Sequence, residues 1–324
     1  MSWIELNGEL LKITGNAKFA QEIERAAYNE LLGAQAPDGE NWCYYTFPNG
    51  DAYDQGFVDF LAQGDAAVER IYEHEAVADI IAAAAELRSV YDATDGRDGY
   101  VSLEVSPYIA DDAELTVREA HRLWAAVDAP NLMIKVPGTD AGARAVRKLV
   151  EDGLNVNVTL LFSLEAYQKV AWAYAEGLEA RLAKGMPIDR VASVASFFIS
   201  RIDARIDARI DARIQAGDAA APALNAIRGK IAIANAKLAY AWFSEFVAAS
   251  RWRTLADAGA MPQRLLWAST GVKDPAYSPT LYVDELIGPD TVNTMPPATM
   301  DAFRENGTIA RTIDCGVNGR RRLS

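Results

Sequence analysis

"NLMIKVPGT" (residues 131–139) decides how the rest of the chain is read. Leu132, Met133, Ile134 and Val136 are apolar, and Lys135 stands in the middle of them. The segment reads as a buried strand, yet charged side chains are almost never fully buried unless something pairs with them. The sequence therefore has to explain what Lys135 faces.

From residue 100 onward the same pattern recurs around this strand. Short apolar runs read as strands at "YVSLEV" (100–105), "NLMIKV" (131–136), "LNVNVTLLF" (154–162), "VASVASFFIS" (191–200), "LLWAST" (265–270) and "TVNTM" (291–295). Helical patterns lie between them at 113–127, 139–151, 163–184 and across a long region from 201 to 256. Upstream, "AAVERIYEHEAVADIIAAAAELRSVYDAT" has helical spacing and ends at the turn cluster "DGRDG". Strands alternating with helices indicate βαβ units and a parallel sheet. No Gly-rich linker divides the array, so a single (β/α)8 TIM barrel over residues 1–324 is the expected fold. The first 50 residues fit this pattern poorly and are expected to alter the first two strands. "WIEL" and "LLKIT" either form a hairpin across "NGE", or "WIEL" pairs with "WCYYTF" (42–47) across a helix at 17–33.

Composition narrows the function. The 324 residues carry a formal net charge of −13, which argues against nonspecific nucleic-acid binding and anionic membranes. A local basic pocket for a phosphate ester is compatible with it. Two cysteines, Cys43 and Cys315, make neither a disulfide framework nor a metal set. The two histidines, His74 and His121, sit in helical contexts and argue against a histidine metal site or a Ser-His-Asp triad. No signal peptide or membrane span is read, so the expected setting is the cytoplasm. No dinucleotide-binding glycine motif or P-loop appears, and no cofactor or metal is expected.

The segment "RIDARIDARIDARI" (201–214) repeats every four residues. Arg and Asp recur within reach of i,i+3 and i,i+4 ion pairs, so a salt-bridged outer helix is expected.

In a (β/α)8 barrel the active site lies at the C-terminal strand ends. The polar residues there are Glu104; Lys135; Asn155, Asn157, Thr159 and Ser163; Ser196, Ser200 and Arg201; Ser269, Thr270 and Lys273; Asn293 and Thr294. Glu104 and Lys135 hold similar places on adjacent strands, and alternation would point both into the barrel mouth. Desolvation favours a neutral, nucleophilic amine, and such an amine forms a Schiff base with a carbonyl. The iminium then draws electrons from an adjacent C–C bond, while a nearby carboxylate moves protons. A purely structural ion pair is the alternative on spacing alone. Hydroxyl and amide groups at the strand ends suit a sugar, and Arg201 and Lys273 suit its phosphate.

With these residues in view, "GYVSLEVSP", "PNLMIKVPGT", "GLNVNVTLLFS", "RVASVASFFISRID", "LLWASTGVKDPAYS" and "LIGPDTVNTMPPAT" together resemble transaldolase, in the branch also found fused to glucose-6-phosphate isomerase. The resemblance runs from about residue 51 to residue 313. It implies a (β/α)8 barrel and a cofactor-free Schiff-base transferase of the pentose phosphate pathway. A dihydroxyacetone unit would pass from sedoheptulose 7-phosphate or fructose 6-phosphate to glyceraldehyde 3-phosphate or erythrose 4-phosphate. Lys135 would be the Schiff-base lysine, and Glu104 and Thr159 would hold the catalytic water. Asn157 would bind substrate hydroxyls, Ser196 and Arg201 the phosphate, and Ser269 a further part of the substrate. Lys273 stands where many relatives place an arginine. Sugar phosphates are the implied partners, with a homodimer as a possible assembly.

The two ends depart from the family. Relatives begin with a strand whose aspartate is the main acid/base, and here "SWIEL" offers Glu5. "ITGNAKFAQEI" resembles the next segment, with Thr14 and the substrate-binding Asn16 as its remnants. The tail at 314–324, "DCGVNGRRRLS", does not resemble the family's final helix. These departures keep two alternatives open: an impaired homologue that binds sugar phosphates, and a Schiff-base aldolase of secondary metabolism.

Overall fold

The computed structural model describes residues 68–315, all within one of the chain's two units, Ala67–Ser324. They alternate helix and strand in the order α1 (Val68–Ala93), β1 (Val101–Glu104), α2 (Ala113–Val127), β2 (Leu132–Pro137), α3 (Asp140–Asp152), β3 (Val156–Leu161), α4 (Leu164–Ala183) and β4 (Ser193–Phe198). Four helices follow: α5 (Ser200–Gln215), α6 (Ala221–Ile227), α7 (Ile231–Ala248) and α8 (Ser250–Asp257). The chain then forms β5 (Arg264–Ala268), α9 (Leu281–Asp284), β6 (Thr291–Asn293) and α10 (Pro297–Asn306). The strands pair in sequence order, each parallel to the next. This is the sheet of a (β/α)8 barrel, with six of its strands described. The readings of residues 1–50, including Glu5, Thr14 and Asn16, fall outside the described residues, as does nearly all of the tail.

β2 to β5 are buried on both faces over most of their length, as the middle strands of a covered parallel sheet must be. Leu132, Ile134, Val136, Val156, Val158 and Phe197 pack outward against the helices. Met133, Val194, Phe198, Leu266 and Ala268 form a separate inner cluster. Period-two alternation assigns residues to these faces, and it puts Lys135 on the inner face, two residues above Met133.

The strand-to-helix turns are short because strand-end residues cap the helices. Thr139 accepts the Gly142 N–H at 2.9 Å and Ser163 accepts the Ala166 N–H at 3.2 Å. A Cβ on Gly142 would lie 1.8 Å from the Pro137 carbonyl oxygen, so this turn requires glycine. Ser163, counted among the strand-end candidates, is therefore a cap. Asn155 is likewise structural: its Nδ2 donates to the Pro130 and Leu132 carbonyls, and its Oδ1 accepts the Ala192 N–H.

Two expectations change. The region 201–256 is four helices, interrupted near Gly217 and Gly229, both at positive φ, and at Ala249. The period-four segment is a helix, but Asp203 and Asp207 point inward and are buried. Each repeat advances the helix by about 40° relative to a whole turn. The buried column therefore begins with aspartates and ends with Ile210. Among the described residues these two aspartates bond to other elements and not to the arginines of their own helix.

Asn131 fastens α1 to the entrance of β1. It is 1% exposed, and its Nδ2 donates to the Ala84 and Gly99 carbonyls, each at 2.9 Å. Asn131→Ala leaves both acceptors without that donor, and urea denaturation should show a loss of about 2–4 kcal/mol. An unchanged midpoint would contradict this role.

Candidate active site

The pairing of β1 with β2 brings Glu104 opposite Lys135. Their side chains meet on the inner face, Lys135 Nζ lying 2.9 Å from Glu104 Oε2. Neither is sealed off: the Lys135 side chain is 29% exposed and that of Glu104 is 41% exposed. The lysine that looked anomalous in a buried strand thus sits at the open end of the inner face, with a carboxylate as its partner.

β3 continues the site. Asn157 is in register with Lys135 and Thr159 with Pro137. The Asn157 amide is held from both sides: Nδ2 donates to Ser102 Oγ at 3.0 Å, and Oδ1 accepts from Ser196 Oγ at 2.7 Å. One of its N–H bonds remains free to point elsewhere. Glu104, Lys135, Asn157 and Ser196 therefore form one connected surface across β1 to β4. Ser102 is a member that the sequence reading omitted. It lies two residues before Glu104, so strand alternation alone was enough to place it on the same face.

Thr159 is 1% exposed, and its Oγ1 has no hydrogen-bond partner among the described residues. Just beyond it the pairing of β3 with β4 slips between Val158 and Leu161, and Leu160 takes φ +61°. A leucine held there costs on the order of 1–2 kcal/mol. The extra residue returns Leu161 to the helix-facing core, fully buried, while Leu160 is left exposed.

A second group forms where β4 and β5 end. Ser200 donates its N–H to the Ser269 carbonyl at 2.9 Å, and the two hydroxyls are 2.9 Å apart. Ser269 has φ +58°. Arg201 lies over the Phe198 ring at 4.9 Å, and Phe198 packs on Phe162 at 5.2 Å. Arg201 and Lys273 are exposed, and neither has an ion-pair partner among the described residues. Thr270 instead donates to Asn293 Oδ1 at 2.8 Å, joining β5 to β6. The aromatic support under Arg201 was not read from the sequence, where Phe162 and Phe198 resemble ordinary core.

Among the described residues no group of three or more His, Cys, Asp or Glu side chains is placed to hold a metal. No described helix is long and apolar enough to cross a membrane. What the inner face offers is an amine, a carboxylate, an amide and hydroxyls, which is the equipment of a Schiff-base enzyme acting on a polyhydroxylated carbonyl compound.

Comparison with known proteins agrees with that class. A family model described as transaldolase/fructose-6-phosphate aldolase matches residues 46–321. The chain is 52% identical over 254 residues to transaldolase 2 of Nostoc punctiforme, covering 78% of this chain and 67% of that protein. It is 48% identical over 270 residues to a transaldolase of Trichodesmium erythraeum, covering 83% and 71%. A transaldolase of Thermobifida fusca is 51% identical over 260 residues, covering 80% and 69%. The chain belongs to the transaldolase/fructose-6-phosphate aldolase family. Residues 2–59 match a different model, the catalytic domain of GH127 β-L-arabinofuranosidase. Glu5, Thr14 and Asn16 thus lie outside the transaldolase match and inside this second one.

The unpartnered Thr159 hydroxyl gives a test that separates stability from activity. Thr159→Val removes a buried polar atom that no described residue satisfies, so stability should stay within about 1 kcal/mol of wild type or rise. Turnover should fall about 10²-fold. A variant that loses stability but keeps its rate would contradict a role in catalysis.

Proposed function

We propose that the chain is a transaldolase of the pentose phosphate pathway, moving a dihydroxyacetone unit between sugar phosphates in the cytoplasm. The observation that carries this reading is the Lys135–Glu104 contact of 2.9 Å at the ends of adjacent inner-face strands. The Lys135 amine attacks the ketose carbonyl, and loss of water yields the imine. Protonated, the imine accepts the electron pair of the neighbouring C–C bond, the donor's hydroxyl loses its proton, and the aldose leaves. The resulting enamine attacks the aldehyde of the acceptor, and hydrolysis of the new imine frees the amine.

The other residues take their parts from their surroundings. Glu104, beside the amine, shuttles protons directly or through one water. The Thr159 hydroxyl, buried without a partner among the described residues, is suited to fix that water. Asn157, held by Ser102 and Ser196, presents its remaining donor to a substrate hydroxyl. Ser196 and Arg201 bind the phosphate, Ser269 contacts a further part of the substrate, and Lys273 adds positive charge for the phosphate. Glu5 and Asn16 remain the candidates for the acid/base and the further substrate contact from the amino-terminal segment. The barrel is proposed to form one domain, with a homodimer as its assembly.

A coupled assay with fructose 6-phosphate and erythrose 4-phosphate tests this reading. The full chain should form glyceraldehyde 3-phosphate with sedoheptulose 7-phosphate, and Lys135→Arg should lower the rate about 10³-fold or more. Free dihydroxyacetone released from fructose 6-phosphate, without transfer, would instead assign the aldolase activity. A Lys135→Arg protein at full rate would refute the mechanism.

A further inference from the structure

The period-four segment has a role that the proposed chemistry leaves unassigned beyond Arg201. Asp203 is 1% exposed; its Oδ1 accepts the Ala232 N–H at 2.8 Å and its Oδ2 accepts the Tyr282 hydroxyl at 3.1 Å. Asp207 is 6% exposed; its Oδ1 accepts the Gly229 N–H at 3.3 Å and its Oδ2 accepts the Tyr277 hydroxyl at 2.7 Å. One turn later Asp211 leaves the core and meets Arg228 at 2.6 Å, and Arg228 reaches on to Asp274 at 3.3 Å.

Buried carboxylates are a poor means to stability alone. Apolar residues of similar volume often do as well or better. Burial pushes the Asp203 carboxyl above its ordinary range, against the hydrogen bonds it accepts. What the two aspartates achieve is a specific connection. Tyr277 and Tyr282 belong to the segment that follows β5, which begins at Ser269 and contains Lys273. Asp203 and Asp207 belong to α5, which carries Arg201 in its first turn. Ser200 and Ser269 join the same two elements at the top.

We propose that Asp203 and Asp207, through Tyr282 and Tyr277, are positioning residues for the substrate phosphate. They lock the helix bearing Arg201 against the post-β5 segment bearing Ser269 and Lys273, so that both halves of the phosphate site keep one spacing. This rests on the phosphosugar reading above. The clamp lies on the β4–β5 side, whereas Lys135 works between β1 and β3. Loosening it should weaken binding of phosphorylated donors and leave the imine chemistry intact.

The test compares fructose 6-phosphate with fructose as donors to erythrose 4-phosphate, using the full chain and the variants Tyr277→Phe, Asp207→Asn and the two combined. For Tyr277→Phe, KM for fructose 6-phosphate should rise about fivefold, as loss of roughly one hydrogen bond's worth of positioning requires. Its kcat should stay within about twofold, and kcat/KM for fructose should not change. The combined variant should be little worse than Tyr277→Phe alone, because Asp207→Asn breaks a contact that Tyr277→Phe has already removed, Tyr277 also meeting Arg228. Tyr277→Phe keeps the ring's packing, so it carries the test should Asp207→Asn fold poorly by thermal denaturation. Equal losses with both donors, or no loss with either, overturn the inference while wild-type transfer stands. Absence of transfer by the wild-type chain overturns the proposed function and this inference with it.

Discussion

The register between β1 and β2 is the constraint on which the site depends. Parallel pairing sets Glu104 against Lys135, and alternation along both strands sends both side chains to the inner face. A slip of one residue would turn Lys135 into the helix-facing core and Ile134 inward. The apolar residues that flank the lysine prevent that slip. Leu132, Ile134 and Val136 are completely buried against the helices, and moving three such side chains would cost far more than the ion pair itself contributes. The sheet therefore holds the amine in place; the amine does not hold the sheet.

The remaining inner-face groups extend this logic from strand to strand. Asn157 takes its place from its register with Lys135 and its orientation from Ser102 and Ser196. Thr159 owes its setting to the irregularity at Leu160, which releases Leu161 to the outer core. Local strain at Leu160 and a hydroxyl at Thr159 without a partner among the described residues occur together on the strand paired with that of Lys135. That combination is common where structure has been shaped for chemistry and uncommon where it has been shaped for stability alone.

Much of this was legible in the chain. Six apolar runs with helical patterns between them yielded the parallel array, since each strand's periodicity is a local property. The facing of Glu104 and Lys135 followed from alternation, and Asn157 was marked by its place near a strand end. What escaped the sequence depends on tertiary contacts. The period-four segment looked self-sufficient because its charges complement one another at helical spacing. Tyr277, Tyr282 and two backbone N–H groups instead draw its aspartates inward. Ser163 and Asn155 looked like site residues because they end or begin strands, and they are used for capping and for joining strands. Ser102 was passed over because a lone serine in a strand carries no chemical signal until its neighbour is known. Glu5, which the resemblance offered as the acid/base, lies before residue 46, where the transaldolase match begins, and within residues 2–59, which match another enzyme's domain.

In the proposed mechanism Lys135 is the residue that bonds covalently to substrate. Borohydride reduction of the full chain in the presence of fructose 6-phosphate, followed by peptide mapping in the mass spectrometer, measures this directly. One reduced ketose or dihydroxyacetone adduct per chain is expected, on the peptide containing Lys135. Failure to form an adduct, or an adduct on any other lysine, would contradict it.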